Sequence, residues 1–348
     1  MRRTIKRIST CCWLSLACLL AASCIKEDNG YSSATADVNL VFSTRADEGS
    51  SGNLLEDEGV PAGPHEGIKT LRIIVVDEYE NVVKNEHRDY RDGEENGIQN
   101  EKQLIIFDVP VGKHTFYVIA NEESLGKAYT NEELENTYDW DLDTHKLEFP
   151  DENNLYFPKK SDEITEKGLP ITNKMEVDVR PDMEPVRISI IHAAVKMNIR
   201  FVNTTDEEIV INQVQFGPFI GDRMYLFPER QLDVPNDARY TGVNFGGDSS
   251  PLGIEVPAGG EASFVCYTYP SFAWKGGLNT PYTLGLVTEG GTYEKQPFVD
   301  SETGQPLNSI SRNSQVNVTA TIKGKASLVV NFKVTDWESA NVPVPPFN

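Results

Sequence analysis

Cysteines and histidines are the side chains of this chain best suited to covalent or metal chemistry, and there are five of each. Cys11, Cys12 and Cys18 lie in an apolar stretch near the start. Cys24 follows the small residues Ala21-Ala22-Ser23, and Cys266 sits in the alternating run from Ala262 to Tyr269. A thiol set directly behind small residues is open to a modifying enzyme. A thiol inside a strand-like run reads as a small buried side chain rather than a nucleophile. His65, His87, His114, His145 and His192 are scattered, and none pairs at a spacing that brings two imidazoles to one metal. His192, inside an apolar run, reads as a core or rim residue. Asp139, Asp141 and Asp143 alternate, but a calcium loop would want Gly at 144 and an acid at 150, and this chain has Thr144 and Pro150. That stretch reads as a solvated acidic turn. Gly-x-Ser-x-Gly is missing from the sequence, as are a Gly-rich phosphate loop, a basic patch and a coiled-coil heptad. Carboxylates are so abundant that pairing any two as acid and base means nothing without geometry. No enzyme, cofactor or metal is expected. The chemistry that remains is done to the chain: a modification at Cys24 and a peptide-bond cut at Arg45.

Residues 1–23 have the parts of a secretory signal peptide. Arg2, Arg3, Lys6 and Arg7 form a basic start, Cys11 to Leu20 is apolar, and small residues follow. The apolar stretch is too short to stay as a spanning helix, and no later segment reaches about 18 uninterrupted apolar residues. Ala21-Ala22-Ser23-Cys24 matches the lipobox of bacterial lipoproteins, in which the cysteine takes a diacylglyceryl group with palmitate-type acyl chains. Lys26-Glu27-Asp28 just behind it resembles the signal that sends lipoproteins to the outer face of the outer membrane. Once the leader is gone only Cys24 and Cys266 remain, so no disulfide framework is expected.

After the leader, roughly 325 residues remain, enough for two domains of ordinary size. Hydrophobic residues make up 39% of the chain, with 15 Phe and 13 Tyr, which excludes a disordered polymer. The whole chain carries a formal −21. Removing the leader's four basic residues leaves 28 basic against 53 acidic, a net −25. Such a surface repels nucleic acid and anionic lipid and favours solubility.

The elements are strands. Residues 24–36 read as a lipidated tether. Asp37 to Thr44 alternates, with Val38, Leu40 and Phe42 on one side. Residues 46–67 are acidic and rich in Gly, Ser and Pro, the composition of an exposed loop open to proteases. Ile68 to Asp77, Lys102 to Val109, His114 to Ala120 and Thr172 to Val179 are strands, and Asn131 to Tyr138 is a candidate short helix. Pro181 and Pro185 mark a boundary. Beyond it, strands are expected at Val186–Ile191, Ala193–Val202, Ile209–Phe216, Met224–Phe227, Gly253–Val256, Ala262–Tyr269, Tyr282–Thr288, Gln315–Ile322 and Ser327–Thr335. Many short strands with turn residues between them point to an all-β chain of two β-sandwich domains in tandem, at 37–184 and 185–338. Residues 339–348 form an extended tail, because Pro343, Pro345 and Pro346 forbid helix. Its Val342, Val344 and Phe347 are candidates to fill pockets, and proline suits an added edge strand better than a central one.

Taken in order, several short segments resemble the type V pilins, the fimbrillins of Bacteroidia-type bacteria. They are Cys24 with the acids behind it, Thr44-Arg45-Ala46, Ile68 to Asp77, Val109 to Asn121, Leu169 to Thr172, Val186-Arg187 leading into His192 to Met197, Ser311 to Asn313, and Val334 to Trp337. The resemblance spans nearly the whole mature chain. It implies two sandwich domains of transthyretin-like or immunoglobulin-like type and export as a lipoprotein. It further implies a cut between Arg45 and Ala46 that removes the strand Asp37 to Arg45 together with its lipid. A donor strand at about Ser339 to Asn348 of a neighbouring fimbrial subunit would then fill the groove. The three prolines depart from a good donor, since each removes a ladder N–H. On this reading the protein is a cell-surface structural subunit, whether stalk, tip or anchor, with other fimbrial subunits as partners in a homo- or hetero-polymer and a host or bacterial surface ligand. Two other classes fit less well. One is a non-polymerising surface lipoprotein that binds glycan or protein on an aromatic platform, for which Trp140, Trp274 and Tyr282 are the candidates. The other is a secreted hydrolase.

Overall fold

The computed structural model describes residues 34–43, 68–79, 81–90, 102–125, 146–148, 167–189, 191–221, 223–225, 227, 234, 238–271, 282–307, 309–324 and 327–336. The strands are, in chain order, β1 Thr35–Ser43, β2 Thr70–Asp77, β3 Val82–Asp89, β4 Lys102–Pro110, β5 Gly112–Ala120, β6 Lys146–Glu148, β7 Ile171–Val179, β8 Val186–Ser189, β9 Ile191–His192 and β10 Val195–Asn203. They continue as β11 Ile209–Gly221, β12 Arg223–Tyr225, β13 Tyr240–Gly246, β14 Ile254–Val256, β15 Glu261–Thr268, β16 Thr283–Thr288, β17 Gly291–Pro297, β18 Val299–Asp300, β19 Ser314–Lys323 and β20 Ser327–Asp336. A 3-10 turn, Glu122–Leu125, follows β5. The all-β expectation holds. Among the described residues no helix is long and apolar enough to cross a membrane.

Two sheets close over the first core, one ordered β4-β1-β8 and the other β3-β2-β5-β7-β9. Alternation builds it. Val38, Leu40 and Phe42 from β1 meet Ile73 and Val75 from β2, Phe116 and Val118 from β5, and Val177 and Val179 from β7. The larger of these sheets is covered on its other face too. Ile74, Tyr117 and Ile119 point away from the first core and belong to the second. The Tyr117 ring meets Phe227 edge to face at 5.0 Å between centroids. Burial on both faces is why β2 reads as a nearly unbroken apolar run instead of an alternating one.

The second core lies between β15-β10-β19-β20-β18 and β13-β11-β16-β17, with β14 paired to β11. Met197, Ile199 and Phe201 alternate inward from β10, and Val316, Val318, Ala320 and Ile322 from β19. Phe216 stacks on Phe298 at 6.3 Å and meets Phe245 edge to face at 5.8 Å. Strands β8 and β9 still pair into the sheets of the first core, and residues of the second core resume at Ala193. The crossing point is tied by polar bonds. The Asn313 backbone N–H donates to the Ala194 carbonyl at 2.8 Å, and Arg312 Nη1 donates to Thr172 Oγ1 at 3.1 Å.

Asn121 fixes the end of the β2–β5–β7 sheet at which Leu71, Ala120 and Ile171 lie side by side. Its side-chain oxygen accepts the backbone N–H groups of Lys69 and Thr70 at 2.7 and 3.2 Å, and its Nδ2 donates to the Leu169 carbonyl at 2.7 Å. The residue is fully buried with φ of 58°, a left-handed backbone that asparagine tolerates. Gly168 packs so close that a Cβ there would collide with this amide. Beside it, Arg72 Nε and Nη2 donate to the two Glu122 oxygens at 2.7 and 2.9 Å, an ion pair buried with its partner groups satisfied.

Strands β3 beyond Lys84, β6, β13, β17 and β18 were not expected from the sequence, and the run after Pro185 is cut into β8, β9 and β10. The candidate helix at 131–138 lies outside the described residues.

Replacing Asn121 with glycine keeps the left-handed backbone and deletes three buried side-chain hydrogen bonds. The expected loss is about 3 kcal/mol of stability, measured as a lower urea midpoint with an unchanged slope.

Candidate functional site: the seat of the first strand

Strand β1 is the feature with functional consequence, because it is central in its sheet while standing near the start of the chain. It runs antiparallel to β4, with Asn39 opposite Ile105 and Val41 opposite Gln103, and parallel to β8, with Leu40 opposite Val186 and Phe42 opposite Ile188. Its inward side chains are almost fully closed off: Val38 and Leu40 at 0% exposure, Phe42 at 2% and Ala36 at 9%. Burying Val38, Leu40 and Phe42 contributes about 1.5–3 kcal/mol each. Beside them in the same sheet lie Ile106 and Val109 of β4 and Ile188 of β8, all in the same core. Without β1, a groove would open between β4 and β8, lined by apolar side chains and edged on both sides by unpaired backbone groups.

A bulge fixes the register of the seat. Pairing shifts between Ala36 and Val38, and opposite this shift Asp108 holds φ of 53°. The Asp108 backbone N–H donates to Asp37 Oδ1 at 3.1 Å, and Thr35 Oγ1 donates to Asp108 Oδ1 at 3.5 Å. The Val111 N–H donates to the Ala34 carbonyl at 2.7 Å. In β1, Asp37 supplies the acceptor beside Asp108 at the exposed edge of the bulge. One detail of β1 is unfavourable: the Asn39 side-chain oxygen is buried with no hydrogen-bond partner. On the outer face, Ile105 and Phe107 of β4 stay 41% and 55% exposed.

Asp37 and Asp108 were missed as register residues. The signal was in the sequence, since buried Ile106 and Val109 stand three apart and break the period of two. Cys24, Arg45, Ala46, Val342, Val344 and Phe347 lie outside the described residues, as do Asp139, Asp141, Asp143, Trp140 and Trp274. Tyr282 does not belong to an exposed platform. It is 1% exposed in the second core, and its hydroxyl donates to Ser271 Oγ at 2.8 Å. Cys266 is a buried free thiol, and burial pushes its pKa up, away from the reactive thiolate. His192 is buried, with its backbone N–H donating to Asn313 Oδ1 at 3.3 Å.

A concavity of about 340 Å³ opens where β2 and β7 end and β5 begins, lined by Asp77, Glu78, Lys113, His114, Glu176 and Asp178 among others. Of its polar groups, Asp77, Asp178 and His114 Nδ1 are bonded within the fold, while His114 Nε2 is buried with no hydrogen-bond partner. His114 Nδ1 donates to the Gly112 carbonyl at 3.0 Å. Burial raises the Asp77 carboxyl, and hydrogen bonds from Asn81 and Tyr79 more than offset this, leaving it below its ordinary value. Among the described residues no three His, Cys, Asp or Glu side chains gather as a metal site.

No family profile matches the chain, and no curated protein matches it in sequence. Solved structures do share its fold. The tip fimbrial protein Mfa3 from Porphyromonas gingivalis, with a C-terminal truncation, is 10% identical over 86% of this chain and 100% of its own, with a TM-score of 0.53. A fimbrial assembly protein from Parabacteroides distasonis is 14% identical over 90% and 100%, at 0.50. The fimbrilin FimA of P. gingivalis is 12% identical over 88% and 99%, also at 0.50. At these identities the likeness shows the fold, along nearly the whole chain, and it agrees with the fimbrillin resemblance of the sequence.

In the intact chain, Leu40→Ala should cost about 2–5 kcal/mol, read by chemical denaturation, because it opens a cavity in a closed core. Val41→Ala, one residue on and facing out, should cost under about 1 kcal/mol.

Proposed function

We propose that the chain is a structural subunit of a cell-surface fimbrium of the type V pilin kind, with no enzymatic activity of its own. It is exported as a lipoprotein, held at the outer membrane through Cys24, cut between Arg45 and Ala46, and assembled with other fimbrial subunits by strand exchange. Its two tandem β-sandwich domains, 37–184 and 185–338, form the shaft of each subunit, and the finished fimbrium contributes to adhesion to a host or bacterial surface.

The observation that carries this reading is the position of β1. The strand ends at Ser43, two residues before Arg45, and β2 begins only at Thr70. A cut after Arg45 therefore separates β1 from the rest of the chain without entering another described strand. Before the cut, β1 is covalently joined to the chain that holds its seat, so its insertion is intramolecular. After the cut that advantage is gone, and lipid and strand leave together. The rest of the chain then holds a groove whose apolar lining and unpaired edges are stabilised by any strand that fits, which is β-augmentation.

Fimbriae sheared from native cells should run as a ladder on a denaturing gel when left unboiled and collapse to one band on boiling. Arg45→Ala should abolish the ladder and leave a lipidated chain in the membrane fraction. A ladder of undiminished intensity from that variant would contradict the proposal.

A further inference from the structure

The same strand pairing is built twice in this chain. Around the first core, β1 pairs antiparallel with β4 and parallel with β8, β2 pairs antiparallel with β3 and β5, and β5 pairs antiparallel with β7. Around the second core the same set recurs in the same order: β10 with β15 and β19, β11 with β13 and β16, and β16 with β17. The outer faces of the two matching sheets differ. β1 and β4 turn Val41, Ile105 and Phe107 outward. β10, β19 and β20 turn out chiefly amides, hydroxyls and cations. The pairing is common to both, so it does not dictate this contrast, which belongs to what each face meets.

We propose that the outer face of β15-β10-β19-β20 binds a hydroxyl-rich polysaccharide with sparse carboxylates, a uronate-containing polymer. This deepens the adhesion reading above, on which it rests, and it is independent of strand exchange.

Charge is the first argument. Acids outnumber basic residues 53 to 32 in the chain. On this face Arg200, Lys323 and Lys333 stand exposed against one carboxylate, Glu261, among the described residues. Arg200 Nη1 lies 3.5 Å from Glu261 Oε2 with both side chains more than half exposed, a weak pair that leaves the guanidinium open to a better acceptor. The chain as a whole repels polyanions, but the Debye length at physiological ionic strength is about 8 Å, so a ligand lying on this face senses its cations first. Arg200 lies opposite Thr319 and Lys333 opposite Asn317, so the two cations flank β19 from either side. They stand at least two strand spacings apart, about 10 Å. Such spacing suits a polymer with an acid on every second sugar better than densely charged nucleic acid.

Hydrogen bonding is the second argument. Asn198 Nδ2 and Gln315 Nε2 donate to Asn317 Oδ1 at 3.3 and 2.9 Å, and Asn317 Nδ2 donates to Thr335 Oγ1 at 3.4 Å. This ladder orients the three amides and leaves the Asn198 and Gln315 side-chain oxygens, with one N–H on each amide, for an outside partner. A protein partner needs a central apolar or aromatic anchor. Here the exposed valines, Val265 and Val329, stand apart on β15 and β20, and Tyr267 is buried. Donors and acceptors on a flat face without an anchor suit a ligand made of hydroxyls.

The test uses the full chain carrying Arg45→Ala, so that strand exchange does not enter, with hyaluronate and polygalacturonate as probes and dextran as the neutral comparison. Both uronate polymers should bind, and dextran about tenfold more weakly or not at all. Arg200→Ala with Lys333→Ala should weaken uronate binding about tenfold, as should Asn317→Asp, which keeps the shape and adds a carboxylate. Lys84→Ala with Lys113→Ala removes the same charge away from this face and should leave binding unchanged. Molar salt should weaken it about tenfold. Binding of neither uronate polymer would overturn the proposal, as would equal binding of dextran or an equal loss in the Lys84 and Lys113 variant. Self-association that the Arg200 and Lys333 variant removes, with no polysaccharide bound, would assign the face to a second copy and overturn it too. If the parent chain forms the fimbrial ladder while neither polymer binds, this inference falls alone and the fimbrial reading stands.

Discussion

The structure depends on a strand that is central in space and near the start in sequence. β1 supplies three closed-off apolar side chains to the first core and pairs on both sides. At about 1.5–3 kcal/mol per buried side chain, its contribution approaches the whole net stability of an ordinary domain, about 5–15 kcal/mol. A sheet can lose an edge strand and remain a sheet. It cannot lose this one without splitting β4 from β8, and an empty seat is a state that demands an occupant. In the proposed scheme, that demand is what would turn a proteolytic cut into a driving force for assembly.

The rest of the chain is held together by contacts that do not involve β1. The five-stranded sheet under the seat is packed on both faces, by β1 and its neighbours on one side and by the second core on the other. Asn121, the Arg72–Glu122 pair and the Arg312–Thr172 bond all hold that sheet at the end where Leu71, Ala120 and Ile171 lie side by side and β9 pairs. None of these contacts passes through β1. The chain's acidic balance, a formal −21 over the full sequence, disfavours nonspecific association between copies.

Much of the fold was legible because its strands follow simple periods. β1, β4, β10 and β19 alternate, and β2 and β5 are the unbroken apolar runs of a sheet covered twice. What escaped has physical causes. β13 buries only Val243 and Phe245, and β17 only Tyr293, so neither carries enough apolar signal to stand out. β8 pairs in parallel with a strand more than a hundred residues earlier, and long-range parallel pairing leaves no local mark. Tyr282 looked as fit for a ligand platform as for a core, and only burial decides between the two. The bulge at Asp108 was visible as a break in period, yet its role in fixing the seat required the position of Asp37. Cys24 and Arg45 are legible only as chemistry done to the chain, since a modification or a cleavage site is defined by what an enzyme recognises rather than by what the fold buries.

The central claim is that β1 is a temporary occupant of its seat. The most direct test is the N-terminus and mass of the protein taken from the outer surface of its native cells. The account predicts a chain that begins at Ala46 and carries no lipid. A chain that begins at an acylated Cys24, with β1 still attached, would contradict it.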